Sequence, residues 1–161
     1  FFASANLSTA AKADEMVKET IRAIRGGVST THWVIEPDET TAFFKGGTSK
    51  FAHIIANLAA AFPNCKPVSD STSGTRLSGF GITLTNEKQV EWYAFEGPTE
   101  RRIALWPQKR SKEVEISIAG ASDFITILDL EALRCHYRFL PLQSGRLPWK
   151  LDGPIVAILR N

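Results

Sequence analysis

The sequence predicts an α+β fold: an antiparallel sheet of about six to eight strands with a meander-like centre, packed on one face by two or three helices. Three observations carry this. Two segments repeat apolar residues at helical spacing, four strand-like runs follow one another between residues 76 and 119, and the composition is that of a chain with a core. Hydrophobic residues make up 43% and charged residues 22%, with ten phenylalanines and four tryptophans, which argues against disorder. At 161 residues the chain fits one globular domain, 1–161, able to bury a core without staples.

The first helix is "STAAKADEMVKETIRAIRGG" (8–27), where Ala10, Ala13, Val17, Ile21 and Ile24 share one face and charged residues fill the other. Ser8 is placed to cap its start, and Gly26-Gly27 supply a left-handed stop. "THWVIE" (31–36) and "TAFFK" (41–45) read as a hairpin around "PDET". The second helix is "TSKFAHIIANLAAAF" (48–62), with Phe51, Ile55, Leu58 and Phe62 as its buried stripe, Thr48 or Ser49 as cap and Pro63 just beyond. His53, Lys50 and Asn57 then lie on the surface side.

"PNCKPVSDSTSGT" (63–75) reads as a loop, and "RLSGFGITLT" (76–85), "QVEWYAFE" (89–96), "RRIALWP" (101–107) and "EVEISIA" (113–119) as a β-meander joined by tight reversals. Residues 122–140 fit neither period throughout; the preferred reading is helix to about Leu133, then a strand from Arg134 to Leu140. "PIVAILR" (154–160) closes the chain as a buried strand.

Function is less visible. Net charge is +2, so only local clustering carries information about a partner. The least ordinary stretch is "RRIALWPQKRSK" (101–112), with five cations, one tryptophan and no acid. In a strand, Arg102, Ala104 and Trp106 share one face and Ile103 and Leu105 the other, so a guanidinium would stand beside an exposed indole. Rings that stack bases, flanked by cations that follow phosphates, bind single strands. The expected nucleic-acid surface is therefore Arg101, Arg102, Trp106, Lys109, Arg110 and Lys112, with Trp92 from the neighbouring strand. The competing account is that Glu96, Glu100, Glu113 and Glu115 neutralise these cations, which would remove the surface.

"KGGTSK" (45–50) places Lys45, Gly46, Gly47, Thr48 and Lys50 at a helix start, a possible anion site that lacks phosphate-loop spacing. The acids of "EPDE" (36–39) are better explained by the turn. His32, His53 and His136 show no metal-ligand spacing, no nucleophile motif occurs, and no cofactor is expected. Trp149 lies between Arg146 and Lys150 as a candidate contact or core lid. Cys65 and Cys135 are expected to be reduced thiols. No apolar run is long enough to span a bilayer. The start at Phe1 points to a missing preceding segment, and an intracellular setting is favoured. Three readings follow: a non-enzymatic module that binds single-stranded RNA or DNA, a protein-interaction module using Trp106 and Trp149, and a small enzyme whose site is assembled from distant residues.

Overall fold

The computed structural model describes residues 9–28, 50–108, 112–118, 123–130 and 137–160. Helix α1 (Thr9–Arg25) turns its apolar stripe inward, with Met16, Val17 and Ile21 buried. It stops as the glycines require: Gly27 takes φ 85°, and the Gly26, Gly27 and Val28 amides donate to the carbonyls of Arg22, Ile24 and Ala23, each at 3.0 Å. Helix α2 (Lys50–Ala61) buries Ile54, Leu58 and Ala61, whereas Ile55, expected in the stripe, is exposed. Asn57, expected at the surface, is buried, and its amide donates to the Asp129 and Leu130 carbonyls at 3.4 and 3.2 Å.

Among the described residues nine strands follow: β1 (Lys66–Asp70), β2 (Ile82–Leu84), β3 (Val90–Glu96), β4 (Glu100–Pro107), β5 (Lys112–Ile118), β6 (Phe124–Asp129), β7 (Tyr137–Pro141), β8 (Arg146–Leu151) and β9 (Ile155–Arg160). They form a six-stranded sheet in the order β1-β3-β4-β9-β6-β7 and a three-stranded sheet in the order β2-β5-β8. Every pairing among them is antiparallel. The α+β class and the helices on one sheet face agree with the sequence; the second sheet lies against the other face.

Two cores result. Under the helices, Met16, Val17, Ile21, Ile54 and Leu58 meet Tyr93, Phe95, Trp106, Leu128, Val156 and Ile158. Between the sheets, Ile82, Leu84, Ile116 and Leu151 meet Trp92, Ile103, Leu105, Ile125, Ile127 and Ile155. Both faces of β3, β4 and β9 are therefore dry, which is why "WYAF", "IALW" and "IVAI" are continuous apolar runs rather than alternating ones.

Four local expectations need correction. Residues 124–129 form a strand, not a helix: Ile125 and Ile127 enter one core and Leu128 the other, so polarity does not alternate even though the period is two. The β3–β4 hairpin of the meander exists, but its flanking runs leave to pair with each other as β2 and β5 in the smaller sheet. The first half of the run 76–85 is a 3₁₀ turn, Leu77–Phe80, closed by Gly81 at φ 81°. The loop 63–75 contains β1, which pairs with β3 through a bulge between Pro67 and Ser69. The hairpin expected at 31–36 and 41–45, the caps Ser8, Thr48 and Ser49, the acids at 36–39, His32, Cys135 and His136 lie outside the described residues.

Candidate functional site

β4 carries the cationic stretch, and its register decides what each side chain meets. Arg102 lies opposite Phe95 and Ile158, on the helix side of the sheet, and is only 6% exposed. Its Nη1 donates to the Ala60 and Ala61 carbonyls at 2.9 and 2.6 Å, and its Nε donates to Glu100 Oε1 at 2.6 Å. Arg102 thus clamps the C-terminal end of α2, where unpaired carbonyls and the helix dipole favour a cation. Arg101, on the other face, donates to the Phe80 carbonyl at 3.1 Å, pairs with Glu96 at 3.4 Å and lies over the Phe80 ring at 5.5 Å.

Trp92 and Trp106 are each 1% exposed, one in each core. The ring and guanidinium expected to face solvent together are both buried because β4 has no solvent face. Lys112 opens β5 and Lys50 opens α2. Lys109, Arg110, Lys45, Gly46, Gly47 and Thr48 lie outside the described residues. Trp149 is half-buried against the inter-sheet core, with the Arg138 guanidinium 5.7 Å from its ring centre.

A dense polar cluster among the described residues was not visible as a motif. Glu91 accepts from Arg22 Nε and Nη2 at 2.9 Å each, from the Tyr93 hydroxyl at 2.7 Å and from Trp106 Nε1 at 3.2 Å. Burial alone would raise the Glu91 carboxyl, but the Arg22 and Tyr93 hydrogen bonds outweigh it and hold the group below its ordinary value. Burial, then Glu91, pushes Tyr93 up to about 12. The Glu91 bonds chiefly drive Arg22 upward. A carboxylate with four donors and a bidentate guanidinium is a joint between α1 and the sheet, not a proton donor.

One concave feature among the described residues is a groove of about 660 Å³ where the turn after β1 meets the β2–β3 connection. Ser71, Thr72, Arg76, Asn86, Lys88 and Gln108 are among its lining residues, so hydroxyls, amides and two cations face it. Asp70 fixes the turn, accepting the Thr72 amide and hydroxyl at 2.9 and 2.7 Å and pairing with Arg25. Burial raises the Asp70 carboxyl less than the Thr72 bonds and Arg25 lower it. Among the described residues Glu87 is the only carboxylate in the lining, and its Oε1 accepts the Leu77 amide at 3.1 Å. The hydroxyls, amides, two cations and Glu87 suit the groove to hydrogen-bonding polar ligands. Cys65 is a free, half-buried thiol raised mainly by burial. Among the described residues no three His, Cys, Asp or Glu side chains gather as a metal site, and no helix is long and apolar enough to cross a membrane.

Comparison with protein-family models gave no match, and comparison with curated proteins gave none either. Solved structures gave two similarities of fold. A family 30 glycoside hydrolase, an endoxylanase from Clostridium papyrosolvens, superposes with a TM-score of 0.60 at 14% identity, over 95% of this chain and 39% of that one. A family 30 subfamily 8 xylanase from Clostridium acetobutylicum superposes with a TM-score of 0.63 at 12% identity, over 100% of this chain and 41% of that one. The chain therefore spans about two-fifths of the length of the xylanases whose fold it shares. Single-stranded nucleic-acid binding through 101–112 is overturned. The fold neighbours are xylanases, Arg102, Trp92 and Trp106 are buried, and the acids Glu96 and Glu100 are paired with Arg101 and Arg102.

Proposed function

We propose that residues 1–161 form one structural unit of a glycoside hydrolase, and that xylan is the first substrate to test. One observation carries the reading: the fold neighbours are xylanases, matched along nearly all of this chain but only about two-fifths of theirs. Immunoprecipitation from the source organism with an antibody against this chain tests the reading. The expected result is loss of xylan-hydrolysing activity from the extract, with the antigen running well above the 17.8 kDa of this chain. An antigen of that mass alone, with hydrolysis of xylan left in the supernatant, would refute it.

A further inference from the structure

The polar groove has walls that hydrogen bonds fix in place. The Ser71 amide donates to the Trp92 carbonyl at 3.0 Å, and the Gln108 amide donates to the Gln89 carbonyl at 2.9 Å. On a third side, the bond from the Leu77 amide to Glu87 sets residues 76–77 beside residues 87–88. Arg76 and Lys88, one from each of these segments, are exposed and both line the groove. Four other arginines are held by acids: Arg22 by Glu91, Arg25 by Asp70, Arg101 by Glu96 and Arg102 by Glu100. Arg76 and Lys88 make no ion pair among the described residues. Hydroxyls complete the lining. Thr85 Oγ1 accepts the Glu115 amide at 3.0 Å, which leaves its proton to donate. Thr72 gives its proton to Asp70, which leaves its oxygen to accept. Ser71 and Thr75 add two more hydroxyls.

We propose that this groove binds a small polyol phosphate, such as a sugar monophosphate, with Arg76 and Lys88 on the phosphate and the serine and threonine hydroxyls on the polyol. Three features select that ligand. Two cations in one place match a phosphate monoester, which carries about −1.5 to −2 at pH 7, better than a carboxylate with its single charge. The Arg76 guanidinium offers a planar fork for two phosphate oxygens, and the Lys88 ammonium a compact charge for a third. Side chains that donate, as Thr85 does, and that accept, as Thr72 does, suit the hydroxyls of a polyol, which do both. Glu87 braces the wall with one oxygen on the Leu77 amide, and two cations against this one carboxylate leave the lining positive. The site does not rest on the glycoside hydrolase reading.

Isothermal titration calorimetry on the full 161-residue chain at low salt tests it, with glucose 6-phosphate, inorganic phosphate, glucuronate and glucose as probes. Glucose 6-phosphate is expected to bind with a Kd of about 1 mM or below. It should bind about tenfold tighter than inorganic phosphate, which lacks the hydroxyls, and than glucuronate, which lacks the second charge. Glucose should not bind measurably. Arg76→Gln and Lys88→Gln should each weaken glucose 6-phosphate about tenfold, and both variants should melt with the parent because the side chains are exposed. Lys150→Gln removes a cation that pairs with Asp152 in the smaller sheet and should change nothing. The proposal is overturned if glucose 6-phosphate does not bind, or if inorganic phosphate, glucuronate or glucose binds as tightly. An equal loss in Lys150→Gln also overturns it, since the attraction would then be that of the chain's diffuse charge. Each of these failures leaves the glycoside hydrolase reading standing and removes only this site.

Discussion

Replacing Arg102 by Ala tests whether the cationic stretch is structural. In the fold Arg102 reaches two carbonyls at the end of α2 and one carboxylate, with its side chain 7% exposed and that of Glu100 24% exposed. Breaking a buried ion pair costs about 3–5 kcal/mol, because the partner charge is left behind. Solvent at Glu100 reduces that share, while each abandoned carbonyl adds about 1 kcal/mol. The expected loss is about 3 kcal/mol, or roughly 6–12 °C in melting temperature for a chain of this size. Urea unfolding followed by circular dichroism measures it. Arg102→Lys should recover less than half, since one ammonium cannot reproduce the guanidinium fork that spans Ala60, Ala61 and Glu100. In Glu100→Gln the further cost of Arg102→Ala should shrink, as a double-mutant cycle would show. A loss below about 1 kcal/mol in Arg102→Ala would refute the clamp and mean that α2 is held by its apolar stripe alone.

Titration supplies two more tests. Glu91 has a folded pKa below the ordinary 4.5, so the unfolded chain binds more protons near that pH; its stabilisation is complete above 4.5 and lost as pH falls through the lower folded value. Glu91→Gln should therefore be less stable than the parent at pH 7 by about 1–2 kcal/mol, and the difference should close on acidification in pH-dependent urea midpoints. Tyr93 works in the opposite direction: raised from 10 to about 12, its neutral form stabilises the fold below pH 10, and that contribution drains away as pH climbs towards 12. Tyr93→Phe should flatten this alkaline slope. In the β7–β8 turn, Ser144 and Gly145 both have positive φ, 52° and 75°, the geometry that asparagine-glycine prefers. Ser144→Asn should stabilise by about 0.5 kcal/mol in the same unfolding assay.

The two helices, the β3–β4 hairpin and the last strand were legible because each carries a period or a stop signal in a short window. The glycines after Arg25 and the continuous run at 155–158 are local facts, and no distant contact alters them. The inside–outside assignment of β4 was not legible for a physical reason. Alternation says which residues share a face, not how many faces are covered, and "RIALW" reads the same above one core or between two. The clue lay in Ala104 and Trp106, which left only Arg102 as a polar group on the presumed solvent face. The β6 misreading has the same origin, since Ile125, Ile127 and Leu128 satisfy two cores at once. The Arg22–Glu91 joint was invisible because its partners are 69 residues apart. The strand expected from Arg134 to Leu140 was legible in its described part, since residues 137–140 lie in β7; only the helix expected before it was misread.

The two shifted carboxylates also limit what this chain can do in the proposed hydrolase. A glycosidase needs a carboxylic acid that keeps its proton near neutral pH, which burial without strong donors provides. Glu91 and Asp70 are the described carboxylates with a clear shift, and both move the other way, held ionised by Arg22 and by Thr72 and Arg25 despite their burial. Neither can donate a proton to a leaving sugar at pH 7. Glu91 also has its oxygens taken by three side chains, which leaves little capacity for substrate. Glu91→Gln should therefore leave any release of reducing sugar from xylan unchanged. Measured turnover that Glu91→Gln abolishes, in protein still folded by circular dichroism, would show that the joint between α1 and the sheet is a reacting centre and that its hydrogen bonds open in solution.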